Sequence, residues 1–148
     1  MTTATPYVYG LFLQSLVEGR VNMSADQVWC MLVTTGYTFN QDSHKFKSVV
    51  TGELTGSGYT AGGQQVTISP PAYSSSTKLL TVPAGNLVWP SVTWTGATGA
   101  VLYMNPAGST DANRPLIAYM DFGGSADRSA EAFYLNWGAS GILKMTRP

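Results

Sequence analysis

From Asp26 onward the chain is written in short apolar runs rich in Val, Thr, Tyr and Trp, broken at brief intervals by Gly, Pro, Asn and Ser. β-Branched and aromatic residues suit a pleated, half-buried surface, and the punctuating residues supply turns. The pattern predicts strands near Gln27–Thr34, Gln64–Ser69, Lys78–Val82, Ser91–Thr95, Gly99–Asn105, Leu116–Phe122, Ala132–Trp137 and Ile142–Thr146. Consecutive strands without intervening helices imply antiparallel pairing. In 148 residues they predict a single mainly β domain over 1–148, an antiparallel, jelly-roll-like β-sandwich.

Two of these runs, Val28–Val33 and Ala100–Met104, are apolar at every position and must be covered on both faces by a helix, a loop or a partner chain. Another alternates, with Phe133, Leu135 and Trp137 on one side and Tyr134 and Asn136 on the other, as a strand with one solvated face requires. Before Asp26 the period changes. Tyr7, Leu11, Leu13, Leu16 and Val17 could line one face of a short helix ending around Gly19, so residues 1–20 read as an N-terminal helix or arm. It would either cap one end of the β core or dock on a neighbouring subunit.

Between Thr35 and Gly63 strand signals are weak, and ordered segments of that length are usually functional or hide short elements. Asn105–Pro115 reads as a polar surface turn.

Charged residues make up 11% of the chain, against about 25% in ordinary domains, and eight basic residues balance eight acidic ones. Nothing supplies the clustered positive field that nucleic acid demands. A neutral surface of Ser, Thr, Asn, Gln and Gly instead suits burial against neighbours. Cys30 lies within Val28–Val33 and reads as a buried thiol, which fits folding in a reducing cytoplasm. The opening residues lack the features of a secretory signal, and no apolar run approaches the roughly 18 residues of a membrane span. Neither signal-dependent export nor a membrane partner is expected.

A Ser-His-Asp hydrolase needs a positioned imidazole, and the chain has one histidine, His44, with Asp42 beside it but no Gly-x-Ser-x-Gly elbow. One histidine and one buried cysteine do not make a zinc site. Asp42, Asp111, Asp121 and Asp127 are too scattered for a calcium loop. Glu53 or Glu131 could be paired with any aspartate for glycoside hydrolysis, but nothing selects one pair. The stretch Gly56–Gly63 lacks the Lys-Ser/Thr ending of a phosphate loop; its glycines more simply allow positive φ and close backbone approach, with Tyr59 anchoring the turn. The reading is of a binding protein without catalytic residues, metal or cofactor. Most of the aromatic residues belong in the core, and the best candidates for exposed anchors are Trp89, beside Pro90, and Tyr73, after Pro70-Pro71.

The order of motifs resembles that of small virion proteins of tailed phages, of the capsid decoration or cement type. The likeness begins at Leu16-Val17-Glu18-Gly19 and at Asp26 leading into the strand that ends at Leu32. It continues through Tyr37-Thr38-Phe39-Asn40-Gln41-Asp42-Ser43-His44 and Glu53–Gly63. It resumes at Pro115–Gly123, Phe133–Trp137 and Ser140-Gly141-Ile142-Leu143. The chain departs from the family pattern at Trp137-Gly138-Ala139-Ser140-Gly141, where an aspartate would follow the tryptophan.

The resemblance implies a homo-oligomeric accessory protein, made in the bacterial host cytoplasm, that sits on the outer surface of the capsid and bridges major capsid subunits. Candidate interface residues are Tyr7, Tyr9 and Phe12 in the N-terminal segment, Asn40, Asp42 and His44 in the following loop, and Tyr73 and Trp89. A second reading is a tail or fibre component that adheres to the host surface by stacking Trp and Tyr on sugars. A third, a small hydrolase, would depend on His44.

Overall fold

The computed structural model describes residues 5–138 and 141–148. Residues 1–4 of the expected arm, and Ala139 and Ser140 of the motif after Trp137, lie outside the described residues. The chain is mainly β. Strand β1 (Thr5–Val8) and helix α1 (Gly10–Val17) come first, followed by β2 (Gln27–Val33), β3 (Gln64–Val66), β4 (Ala72–Ser74) and β5 (Leu79–Val82). Next are β6 (Leu87–Trp94), β7 (Gly99–Asn105), β8 (Leu116–Asp121), β9 (Arg128–Leu135) and β10 (Leu143–Thr146). They form a five-stranded sheet in the order β1-β8-β7-β2-β3, a three-stranded sheet β10-β5-β4 and a ribbon β6-β9, each paired antiparallel.

The five-stranded sheet carries the core because its middle strands are apolar on both faces. Cross-strand register puts Tyr7, Tyr119, Val101 and Met31 in one row on one face, and Val8, Ala118, Leu102 and Cys30 in a row on the other. On the Cys30 side, Phe122 continues the alternation of β8 and meets Phe133 of β9 at 5.8 Å between ring centroids. Trp89, Trp94 and Phe133 stack edge-on or tilted within the ribbon, all buried. On the Tyr119 side, the cover is the segment 37–47: Phe39 stacks on Tyr119 at 4.6 Å and Tyr37 meets it edge-on at 5.8 Å.

Each of the eight strands expected from the pattern has a counterpart, and β1 and β4 are additional. β6 begins four residues before its expected start and runs through Pro90, at an interruption of register between Trp89 and Val92. A proline lacks the ladder donor, and an irregular position is where a strand tolerates it. The stretch 35–63 is tied down by isolated bridges, Phe46 with Pro115, Glu53 with Val33 and Ser57 with Thr93, rather than by regular strands.

The N-terminal helix needs two corrections. Thr5–Val8 is extended along β8, so α1 starts at Gly10 and not at Tyr7. Its buried face then holds Phe12 and Ser15, while Leu13 and Val17, expected on the apolar face, are 52% and 88% exposed. The end is as the sequence suggests. Gly19, at φ +74°, donates to Leu16 O at 3.2 Å, and Arg20 donates to Ser15 O at 2.9 Å, the paired bonds of a Schellman stop.

Candidate functional site

Six of the eight predicted interface residues converge where the N-terminal segment meets the loop 37–44. The backbone N–H of Gly10 donates to Gln41 O at 2.9 Å, and the Gln41 side-chain amide donates to Val8 O at 2.7 Å. Asn40 shapes the loop itself, its Oδ1 accepting from the backbone of Asp42 (3.1 Å) and Ser43 (3.0 Å) in an Asx turn. β1, α1 and the loop therefore form one joined rim.

Within that rim the candidates divide. Tyr7, Asn40 and Asp42 are exposed; Tyr9 and Phe12 are buried in the core, which removes them as direct docking residues. Tyr9 is buried because its hydroxyl has a partner. It lies 2.7 Å from the Tyr37 hydroxyl, which is 2.8 Å from Nδ1 of His44. With the neutral imidazole protonated on Nε2, Tyr37 donates to His44 and Tyr9 donates to Tyr37, so one order of donors serves both bonds. Burial raises both phenols above the ordinary tyrosine range, most strongly Tyr9, and holds His44 below its usual value of 6.5. Tyr37 is the sole hydrogen-bond partner of the His44 ring among the described residues. Asp42 does not orient the ring, so the geometry of a triad is not assembled there.

The other two candidates lie apart. Tyr73, on β4, is 53% exposed and accepts a bond from Arg147 Nε at 3.2 Å. Trp89 is 1% exposed, contrary to expectation, since alternation along β6 turns Leu87 and Trp89 into the core and leaves Val88 outside. Pro90 itself is exposed, at the irregular register of a two-stranded ribbon, but the Trp89 ring beside it turns inward.

The glycine-rich segment is structural. A Cβ on Gly63 would lie 1.8 Å from the Cys30 carbonyl oxygen, so its backbone can approach β2 only as glycine. The Tyr59 hydroxyl accepts from Leu32 N at 3.0 Å and donates to Glu53 Oε1 at 2.8 Å, and that same carboxylate oxygen accepts from Gly62 N at 2.5 Å.

A cleft that no local motif announces opens on the Tyr119 side of the sheet, beyond Lys47. Trp29 and Tyr103, cross-strand neighbours on β2 and β7, form part of it together with Lys47, Glu53, Ala61, Gly62, Asn105, Asp111 and Arg114. Asp111 bonds Lys47 Nζ at 3.0 Å and Arg114 at 2.7 Å. Partial burial opposes ionisation of Asp111, but the two cations more than offset it and hold the carboxyl below its ordinary range. Lys47 and Asp111 are 64 positions apart in the chain, which hides the pair from any short pattern.

Among the described residues no group of three or more His, Cys, Asp or Glu side chains could hold a metal ion, and no helix is long and apolar enough to cross a membrane. Comparisons with protein-family models, curated proteins and solved structures give no significant match to this chain.

Proposed function

We propose that this chain is a bacteriophage capsid decoration protein, a jelly-roll-like β-sandwich that binds the assembled head from outside and bridges major capsid subunits, acting as a homo-oligomer. The ordered motifs from Leu16 to Leu143 and the low, balanced charge support that reading. The observation that carries it furthest is the rim, where Gln41 of the motif Tyr37–His44 bonds both Val8 and Gly10 and so fastens that motif to the N-terminal segment. Tyr7 on β1, whose ring leans on Phe39 at 5.8 Å but stays partly open, and exposed Leu13 and Val17 on α1 give this end of the chain apolar surface. Apolar and aromatic side chains of this kind fill clefts between subunits, with Asn40 and Asp42 as polar contacts at the edge.

The mechanism is mass action. A protein that binds only the assembled lattice stabilises it over free subunits, and many weak copies add together. The test is occupancy on purified heads that lack the protein, comparing the native chain with Leu13→Asp and Val17→Asp. These substitutions touch exposed positions, so folding is retained while occupancy falls; undiminished occupancy in both would refute docking through this end. For the alternative, a tail or fibre component that stacks aromatic rings on host sugars, burial removes Trp89 as the anchor and leaves exposed Tyr73.

A further inference from the structure

The cleft beside Trp29 has the makings of a ligand site independent of any docking rim. Lys47, Glu53, Asp111 and Arg114 are four of only sixteen Lys, Arg, Asp and Glu residues in the chain, drawn to one place from three separate segments. They are held in fixed positions. Arg114 donates through Nε to Ser109 Oγ at 3.1 Å and through its terminal nitrogen to Ser109 O at 3.0 Å, while a third nitrogen bonds Asp111. Lys47 lies 5.3 Å from the Tyr103 ring centroid, its side chain only 11% exposed. That ring is thereby occupied, and Trp29 is left as the aromatic surface of the cleft.

The charges sum to zero, two cations and two anions, so the cleft as a whole offers no net charge to select an ion. A neutral ligand rich in hydroxyls does gain. It finds donors in Lys47, Arg114 and the Asn105 amide, and acceptors in Asp111 and Glu53, alongside an indole. Both internal bonds of Glu53 fall on Oε1, and neither uses the other carboxylate oxygen. Asn105 accepts a bond from Ser109 through Oδ1, a bond that does not use its NH2 group. The cleft volume of 440 Å³ falls in the range of about 300–1,000 Å³ typical of small-ligand sites. Saccharides combine these demands, because a pyranose offers an apolar C–H face to an aromatic ring and hydroxyls that both donate and accept at its rim.

We propose that this cleft binds neutral hexopyranose sugars, with Trp29 stacking on the ring and Glu53, Asn105 and Asp111 contacting its hydroxyls. The experiment titrates the full chain and its variants with glucose, galactose, mannose and N-acetylglucosamine while following the backbone amide resonances and, where the residue is present, the Trp29 indole N–H by NMR. Glucuronate and glucosamine serve as charged controls. At least one neutral sugar is expected to shift the Trp29 resonance, with a dissociation constant on the order of 1 mM. Trp29→Ala is expected to weaken that binding at least about tenfold, and Asn105→Ala is expected to weaken it while the native amide spectrum is kept. No response to any neutral sugar would overturn the proposal. So would affinity unchanged in both variants, or a charged control binding about tenfold more tightly than every neutral sugar.

Discussion

Ser15 sits on the buried face of α1 with its Oγ lacking a hydrogen-bond partner among the described residues. An unpaired buried hydroxyl opposes folding, so Ser15→Ala is expected to leave stability unchanged or raise it by up to about 1 kcal/mol in urea unfolding. A loss of stability would mean that the hydroxyl is bonded in solution. Gly63 is the opposite case. At φ +83° and against the Cys30 carbonyl, it has no room for a methyl group, and Gly63→Ala is expected to cost about 3 kcal/mol or more by the same measurement. A near-neutral result would contradict the close approach of this turn to β2. That Gly56–Gly63 forms glycine-dependent turns was legible in the sequence. Which backbone Gly63 approaches was not, because Cys30 is distant in the chain and only the pairing of β2 with β3 brings the two together.

The strands were the most legible elements, since burial of one or both faces writes itself into alternation or into unbroken apolar runs. The N-terminal segment was the least. Thr5–Val8 is too short to display a period of two, and taking it as helix puts Leu13 and Val17 on the wrong face, although Leu16 does pack against the core. The true anchor is Tyr9, whose chain of bonds to Tyr37 and His44 couples the N-terminal segment to the loop. Removing one hydroxyl by Tyr37→Phe is expected to cost about 1–2 kcal/mol, and a double-mutant cycle with Tyr9→Phe should give a coupling of at least about 0.5 kcal/mol. Additive effects would break the chain of bonds into unrelated contacts.

The same bonds give a pH dependence. Burial depresses the pKa of His44 from 6.5, so the unfolded chain binds more protons than the folded one just below that value. Stability is whole above about pH 6.5 and declines as the pH falls toward the folded pKa, because a protonated Nδ1 can no longer accept from Tyr37. Unfolding free energies measured across this window should therefore fall for the native chain, and fall less for His44→Asn. Equal slopes in the two proteins would place the proton elsewhere.

At the scale of the whole molecule, the chain combines a low, balanced charge with a core built on a doubly covered sheet. The sequence conveyed the class of this fold but not its clefts, since Lys47 meets Asp111 and Arg114 only when the loop between β7 and β8 folds back against the segment before Val49. The proposed role on the phage head rests on the ordered motifs and on the rim that joins β1, α1 and the loop 37–44. The most direct measurement is an electron-microscopic reconstruction of the intact particle. Density for this chain is expected on the outer surface of the head, at contacts between major capsid subunits, with Tyr7 and the exposed face of α1 turned toward the shell. Density confined to the tail, or absent from the purified particle, would contradict it.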